Sequence, residues 1–360
     1  MSILFAILLF SLLIFLHELG HFTMAKLSGV RVNEFAVFMG PAIWKKQKGE
    51  TLYSIRCIPI GGYCAMEGED GGSDDPRSFD RAAWWKRFVI LVAGSAMNFL
   101  TGLILLGVFF AGDKQFIMPV VTQIEPGCTI AGEHGIREGD RILEVDGEKI
   151  YVYSDFQMIL DLNEMILDLN GGENHDLVLL RDGERLELKD FPMAKAEFLN
   201  EDGSKSLRFG FSFSLVEATF RETMKYVWNT AIDNVRMVRL NLQMLFSGQA
   251  GIRDVGGPVM IVQQMSQVAE AAPSAYFAFL DLINFGAFIA INLAVMNLLP
   301  IPALDGGRVV CLLITTAVEA VTRKKINPKF EAYLHAGGMI LLLALMGLIM
   351  FKDIFVLIKG

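Results

Sequence analysis

Two histidines and a glutamate lie near the end of the apolar run LLIFLHELGHFTMAKL, residues 12–27. His17 and His21 are four positions apart, so a helix brings both imidazoles to one face. Two imidazoles on one helix face can bind one metal ion, and Glu18 beside them is suited to act as a general base. An ionisable residue inside a membrane span costs at least ~2.5 kcal/mol, so its presence there indicates a function. The alternative is that all three side chains lie at the membrane surface, where water relieves this cost.

A catalytic zinc ion takes three protein ligands and keeps a fourth position for water. The segment NLLPIPALDGGRVV, residues 297–310, places Asp305 among apolar residues, and Pro300 and Pro302 interrupt a helix there. Interrupted backbone at membrane depth is tolerated only where protein or a water-filled cavity covers it. Asp305 is therefore the predicted third ligand. A simple helix cap is the alternative role for Asp305, and His335 is a rival ligand that borders a polar loop.

The elements that must position these residues are membrane spans. The chain has 360 residues, of which 53% are hydrophobic, and its net charge of −8 provides no basic footprint for nucleic acid. Four apolar segments, residues 2–24, 88–111, 276–299 and 337–357, are each long enough to cross a bilayer. The first lacks a basic region before its apolar run and is expected to be retained as a helix. The four cysteines form no CxxC pair, so no zinc ribbon is expected.

The orientation of the spans follows from the basic residues near their ends. Lys and Arg are concentrated between the first two spans and between the last two. Because cytoplasmic loops carry this excess, both loops are predicted to be cytoplasmic. Both termini and the large insert from residue 112 to 275 are then predicted to face outward.

The polar regions carry their own structural signals. ETLYSIRCIPIGGYCAM, residues 50–66, predicts one or two strands and a turn, and EGEDGGSDDPRSFD, residues 67–80, predicts a mobile linker. The insert predicts a small α/β unit with a short Ala/Gly-rich helix and two hairpins at DG turns. Residues 224–245 predict a basic amphipathic helix, either on the membrane surface or packed on the small unit.

The motifs together carry a resemblance to a known family. HELGHF, IPIGGYCAMEGED, DPRSF, AGSAMN, GGPVMI and NLLPIPALDGGRV resemble the site-2 proteases, and within them the bacterial regulator-of-sigma-E protease type. The insert resembles a circularly permuted PDZ domain, with RFGFSF as its peptide-binding strand and loop. Two positions depart from the family pattern: Ser95 follows Gly94 where proline is common, and Cys64 follows Tyr63 where valine is common.

The resemblance implies an intramembrane zinc metalloendopeptidase with one Zn²⁺ per chain. Zinc would be bound by His17, His21 and Asp305, with Glu18 as the catalytic base and Asn297 contacting the substrate near the scissile bond. An amide NH₂ is a suitable donor to an oxyanion, which supports the role of Asn297. Further substrate contacts are expected from Gly61, Gly62 and Tyr63, because the strand around residues 51–66 offers an edge for an extended peptide. Asn98 is also expected to contact the substrate.

The predicted fold is a polytopic α-helical membrane protein with four transmembrane helices, a cytoplasmic-side β-sheet and an inserted extracytoplasmic α/β PDZ domain. Its predicted divisions are 1–24, the first span; 25–87, a cytoplasmic loop with strands; 88–111, the second span; 112–216, the PDZ domain; 217–275, an interfacial helix and linker; 276–318, a broken third span; 319–336, a cytoplasmic loop; and 337–358, the fourth span.

The expected partners are single-span membrane proteins, such as an anti-sigma factor or a signal-peptide remnant, and the lipid of the bacterial cytoplasmic membrane. The PDZ domain would either bind a peptide or C-terminus or act as a steric filter. Two other classes of protein are disfavoured. A transporter would show an internal repeat, and a scaffold with structural zinc would show four protein ligands instead of three.

Overall fold

The computed structural model describes residues 2–69, 72–167, 174–193, 195–199, 204–248, 256–323 and 328–359. The chain divides into two compact units. One unit comprises Met1–Phe109 and Asn234–Gly360, and the other comprises Phe110–Asp233. The first contains the membrane-span candidates, and the second is the insert.

The helices alternate with two groups of strands along the chain. The helices are α1 (Ser2–Leu27), α2 (Trp84–Phe110), α3 (Tyr153–Leu167), α4 (Phe220–Ser247), α5 (Pro258–Ala271), α6 (Ala275–Asn297), α7 (Asp305–Thr322) and α8 (Pro328–Lys359). The strands are β1 (Val32–Lys48), β2 (Thr51–Met66), β3 (Gln115–Ile124), β4 (Arg141–Val145), β5 (Glu148–Lys149), β6 (Asn174–Arg181), β7 (Glu184–Pro192), β8 (Ala196–Leu199), β9 (Lys205–Arg208) and β10 (Phe211–Glu217).

Within the described residues, four helices are long and apolar enough to cross a membrane, as the sequence predicts. The candidate spans are Phe5–Leu27, Trp84–Phe110, Ala275–Asn297 and Tyr333–Asp353. The last exposes many large apolar side chains, among them Ile340 and Leu341 at about 70%. A helix with apolar residues on all sides is suited to a lipid environment and would be unusual on the surface of a soluble protein.

Several predicted boundaries differ from the structure because helices extend beyond the apolar windows. α1 continues to Leu27 rather than ending at residue 24, and α2 begins at Trp84 rather than 88. The fourth apolar helix begins at Pro328, inside the predicted loop 319–336. The predicted linker in 217–275 also contains a second helix, α5. Helix formation needs backbone hydrogen bonds and not a continuous apolar run, so polar flanking residues join the helix.

The sheet of the first unit is larger than the sequence predicts, because residues 32–48 also form a strand. The first half of β1 lies between two parts of β2: Val37 pairs with Gly62 on one side and with Ile55 on the other. The second half of β1 then pairs with the start of β2, as Trp44 does with Ile55. β2 therefore bends back on itself, and among the described strands its last part, up to Met66, forms one edge of the sheet.

The acidic segment after β2 is not the mobile linker that its composition predicts. Glu67 accepts hydrogen bonds from Ser73 at 2.6 Å and from Asn33 at 2.7 Å. Arg31 pairs with Asp75 at 3.0 Å. Residues 70 and 71 of the same segment lie outside the described residues. The described part is therefore attached to the start of β1 by paired polar groups, which composition alone does not reveal.

The second unit contains an antiparallel sheet in the order β10-β3-β4-β6-β7, with β5 paired to β4, and a separate β8-β9 hairpin. Its core includes Val121, Ile142, Phe156, Leu177 and Leu179. The two predicted DG turns are present: Asp146 and Gly147 join β4 to β5, and Asp182 and Gly183 join β6 to β7, all with positive φ. That conformation matches the two-residue hairpin turns that such sequences favour.

The short Ala/Gly-rich helix predicted near residue 130 is absent from the structure. The segment is irregular and is stabilised by an isolated bridge between Ala131 and Ile136. Gly132, with a φ of 154°, lies between them in a conformation that a helix cannot include. Tertiary packing of Ile130 and Ile136 into the core therefore determines this backbone.

The second unit contains an ion pair between the buried Asp140 and the largely buried Arg181. Asp140 is fully buried and accepts two hydrogen bonds from Arg181, at 2.8 and 2.7 Å. Replacing Asp140 by alanine removes the carboxylate partner of Arg181, whose side chain is only 16% exposed, so we expect the free energy of unfolding of this unit to fall by about 3 kcal/mol, the lower end for a buried pair. Hydrogen–deuterium exchange of β4 and β6 in the full-length protein in detergent measures this loss.

The matched control for Asp140→Ala is Arg185→Ala on the same sheet. Arg185 pairs with Glu144 at 3.1 Å, but its side chain is 54% exposed. Exposed ion pairs contribute little to stability, so exchange protection in this variant should resemble that of the parent protein. Equal effects from the two variants would contradict a special role for the buried pair.

Candidate metal centre

α1 brings His17 and His21 together as their spacing predicts. Their Nε2 atoms are 3.2 Å apart, and the ring planes are close to perpendicular, at 83°. The rings are mostly buried, with side-chain exposures of 12% and 9%. Both Nε2 atoms therefore point to one small volume on the inner side of the helix.

Asp305 completes the group from a distant part of the chain. It is the first residue of α7, after a non-helical segment that follows α6. Its Oδ2 lies 3.2 Å from Nε2 of His17 and 3.3 Å from Nε2 of His21. That oxygen is buried and makes no hydrogen bond of proper geometry to any described residue. Three ligand-type atoms thus converge, and the Asp305 oxygen among them has no hydrogen-bond partner in the described part of the chain.

The spacing of these three atoms fits a tetrahedral zinc ion. Zinc–nitrogen and zinc–oxygen bonds of ~2.0–2.2 Å at tetrahedral angles separate neighbouring ligand atoms by about 3.3–3.5 Å. The observed separations of 3.2, 3.2 and 3.3 Å are close to that edge length. Within the part of the chain that the structure describes, this is the one cluster of His, Cys, Asp or Glu side chains close enough to share an ion. Three protein ligands leave the fourth vertex for water or substrate.

His335, the rival ligand in the sequence, has a different role. Its Nδ1 accepts a hydrogen bond from the backbone N–H of Ala303 at 3.0 Å. Ala303 has a φ of +82°, a conformation that costs energy for a residue with a Cβ and needs support from its surroundings. His335 therefore supports the turn that leads into Asp305.

Gly94 of α2 is part of the site, although the sequence analysis gave it no role. A Cβ at this position would lie 2.7 Å from Cε1 and 2.8 Å from Nε2 of His17, and still closer to Nε2 of His21. These distances are below any real Cβ contact, so only glycine leaves the space beside the imidazoles open. The sequence signal is the small-residue run AGSA in a helix otherwise rich in large apolar residues.

Both histidines have hydrogen-bond partners at their second nitrogens. Nδ1 of His21 lies 2.8 Å from the carbonyl oxygen of Ile90, which can only accept, so this nitrogen carries the proton. Nδ1 of His17 lies 3.3 Å from the carboxamide of Asn98. Such partners fix which ring nitrogen faces a metal.

The edge part of β2 passes directly beside the candidate base. A Cβ on Gly62 would lie 3.5 Å from Cγ of Glu18, so any side chain at this position would be in van der Waals contact with the candidate base. Gly61 has a φ of +82°, which permits the sharp bend of the strand before Gly62. The sheet edge therefore reaches the metal centre from the side of Glu18.

Tyr63 contributes to a polar network on the sheet. Its hydroxyl accepts a hydrogen bond from Arg56, which also pairs with Glu34 at 2.7 Å. Burial alone would raise the pKa of Glu34, but hydrogen bonds from Ser54, Arg56 and Tyr63 outweigh it and hold the pKa below the usual range. The network therefore keeps an ionised carboxylate and stiffens the sheet next to Gly62.

Asn297 is the last residue of α6 and is half-buried. It lies eight positions before Asp305, at the opposite end of the non-helical segment 298–304. Among the described residues Asn297 makes no hydrogen bond to the three ligands. Its predicted role in substrate binding stays a prediction.

The segment after β2 is tied to the helix that carries Asp305. Arg308, one turn after Asp305 on α7, forms an ion pair with Glu69. The two side chains are 30% and 21% exposed. This contact joins the end of the edge strand to the third ligand's helix.

We expect reversal of either charge in this pair to disturb the position of Asp305. Arg308→Glu sets two carboxylates against each other, and a displacement near 1 Å in an active site can cost about 10²-fold in activity. We therefore expect kcat/KM to fall by about 10- to 10²-fold in Arg308→Glu and in Glu69→Arg. The doubly exchanged protein restores an ion pair and should recover most of the activity. A double variant as impaired as the singles would show that the pair does not position the site.

The fold and the site define a class of protein: membrane proteins whose metal centre combines an HExxH motif with an aspartate from a distant part of the chain. Comparison with known proteins identifies the family. The model of Peptidase family M50 matches residues 5–345. The chain is 37% identical over 356 residues to a "Putative zinc metalloprotease" of Clostridium perfringens, with 98% of each chain covered. It is 28% identical over 433 aligned positions to "Regulator of sigma-W protease RasP" of Bacillus subtilis, with 97% of each covered.

The chain therefore belongs to peptidase family M50, the site-2 proteases, and is an intramembrane zinc metalloprotease. The resemblance found in its motifs is confirmed. Membership of this family implies membrane proteins as substrates, which agrees with the four long apolar helices.

Proposed function

We propose that this protease cuts peptide bonds within the transmembrane segment of single-span membrane proteins. The observation that supports this most directly is the position of His17 and His21 on a long apolar helix, where Asp305 joins them and Gly62 of β2 lies near Glu18. In this proposal His17, His21 and Asp305 hold the zinc ion, Glu18 is the base, and Asn297 contacts the substrate. When bound, zinc supplies a water molecule with a pKa lowered to about 7.

Glu18 and Asn297 have different roles in the proposed hydrolysis. The Glu18 carboxylate accepts the proton of the attacking water and returns it to the leaving amine. The NH₂ group of Asn297 donates a hydrogen bond to the oxygen that becomes negative as the carbonyl is attacked. The peptide bond breaks between the carbonyl carbon and the amide nitrogen, leaving a carboxylate and an amine.

A transmembrane substrate must unwind before it can be cut, because its backbone groups are paired inside the helix. The edge of β2 near Gly61, Gly62 and Tyr63 is suited to receive the unwound segment, since an extended peptide can add to a sheet edge through backbone hydrogen bonds. Gly62 keeps the strand without a side chain where it passes Glu18. This edge would supply hydrogen-bond partners for the unwound substrate backbone, because water is not available for that inside the membrane.

The proposed topology follows from the basic residues beside the spans. Both termini and the second unit lie outside the cytoplasm of a bacterial cell, and the β1–β2 sheet lies on the cytoplasmic side of its inner membrane. The second unit is proposed to be a PDZ domain, with Phe209, Phe211 and Phe213 packed around Phe156 at its peptide-binding strand. It would act as a steric filter that admits substrates with a trimmed outer domain.

The substrate class is proposed to be an anti-sigma factor or a remnant signal peptide. The name of the Bacillus subtilis relative refers to regulation of sigma-W, which is a statement about that protein. An anti-sigma factor with one span fits both that name and the proposed need for a single, unwound helix.

The test is cleavage of single-span proteins by the full-length enzyme reconstituted in liposomes, with the cut site mapped by mass spectrometry. We expect cuts inside the span, and faster cleavage when the span contains Gly or Pro than when it is all Leu, because these residues lower the cost of unwinding. Removal of zinc with a chelator should stop cleavage. Cuts restricted to the regions outside the span would overturn the proposal.

A further inference from the structure

Asn98 lies in an unusual position for a residue expected to contact substrate. It is only 1% exposed, on the face of α2 that packs against α1. Its carboxamide nitrogen lies 3.3 Å from Nδ1 of His17, while its oxygen is buried and accepts no hydrogen bond from any described residue. A substrate would have to displace a helix to reach this side chain.

The protonation of His17 determines what Asn98 can do. Nε2 of His17 faces Asp305 and His21, so it must be unprotonated when it binds a metal. A neutral imidazole then carries its proton on Nδ1, which becomes a donor. An NH₂ group facing that donor makes no hydrogen bond, whereas the carboxamide turned by 180° places its oxygen there as an acceptor. The turned orientation also gives the buried oxygen its missing partner.

The second ligand follows the same logic with a different group. Nδ1 of His21 donates a hydrogen bond to the carbonyl oxygen of Ile90, and because a carbonyl oxygen can only accept, the direction of this bond is fixed. Both acceptors belong to α2, which therefore fixes both imidazoles from one side. For His21 the acceptor is backbone and independent of residue type, whereas for His17 it depends on Asn98.

We propose that Asn98 is a positioning residue of the metal centre: its side-chain oxygen accepts the Nδ1 proton of His17 and holds Nε2 toward the metal. This revises the expectation that Asn98 contacts substrate. The inference rests on the zinc role of His17 within the proposed function. It does not depend on which peptide bond is cut.

The test compares zinc affinity in full-length variants, measured without substrate by competition with a chromogenic chelator. Asn98→Leu has a similar size but no acceptor, and we expect zinc affinity to fall by about 10–100-fold, the usual effect of losing such a partner. Asn98→Asp keeps an acceptor oxygen and should stay within about threefold of the parent protein. Ser95→Ala, one turn away and equally buried, is the control and should leave affinity unchanged.

Two results would overturn the proposal. One is an Asn98→Leu protein that binds zinc as tightly as the parent but loses proteolysis, which would return Asn98 to a role with substrate. The other is equal loss of affinity in Asn98→Leu and Asn98→Asp, which would show that packing, and not an acceptor, is what His17 requires. Because the readout is zinc binding, failure here is distinguishable from failure of the proposed cleavage inside a span.

Discussion

Replacing Gly94 by alanine should remove both zinc and proteolysis. The new methyl group would occupy the space beside the ligand nitrogens, within 2.8 Å of His17 Nε2 and closer to His21 Nε2. Neither imidazole can turn away freely, because Asn98 and the carbonyl of Ile90 hold their other nitrogens. Helix α2 must then retreat from α1, which withdraws Asn98 and the Ile90 carbonyl from the two imidazoles that they orient. We expect bound zinc to be lost and kcat/KM to fall by at least ~10²-fold.

The measurement for Gly94→Ala is zinc content of the purified protein together with cleavage rate. Gly107→Ala is a closely matched control, since it makes the same change on the same helix, where a Cβ meets nothing within 4 Å. That variant should keep zinc and activity, and its helix should become slightly more stable, by about 0.5–1 kcal/mol. If Gly94→Ala retained full zinc, the space beside the imidazoles would have no role in metal binding.

Replacing Glu18 by glutamine should abolish cleavage while zinc stays bound. Glutamine has the same shape but cannot accept the proton of the attacking water, and general acid–base catalysis contributes about 10²–10⁴-fold to rate. Glu18 is not among the three side chains that converge on the metal position, so zinc content should not change. We expect kcat to fall by that factor with KM little altered, because substrate contacts remain.

Asp305→Ala is the comparison that separates the two roles. It removes one of three ligands, so both zinc and activity should disappear. Loss of zinc in Glu18→Gln would instead make Glu18 a ligand or a support of one. Unchanged cleavage in Glu18→Gln would show that another group takes the proton.

The sequence allowed the metal centre to be predicted because its main signals are local. The HELGH spacing places the two imidazoles on one helix face, and the prolines before Asp305 indicate an interrupted helix. The DG turns between β4 and β5 and between β6 and β7 were likewise predictable, since such turns require positive φ at residues that tolerate it. Each of these follows from the chemistry of a few neighbouring residues.

Other features depend on contacts between segments far apart in sequence. β1 is a strand because β2 bends back to pair with both of its sides, and the acidic segment after β2 is ordered because Arg31 and Asn33 pair with it. No local pattern shows these partners. The same holds for the irregular backbone between Ile130 and Ile136, which the core of the second unit determines.

By itself, the sequence determined that a zinc-type motif lies in a membrane helix and that one distant aspartate is suited to complete it. Only the tertiary structure decided that Gly94 must lack a side chain and that the carboxamide of Asn98 lies beside Nδ1 of His17. The physical reason is that ligand chemistry is a property of residue type and spacing. The space beside the imidazoles and the hydrogen-bond partners of their Nδ1 atoms exist only because α2 packs against α1, and the sequence of either helix alone does not reveal that packing.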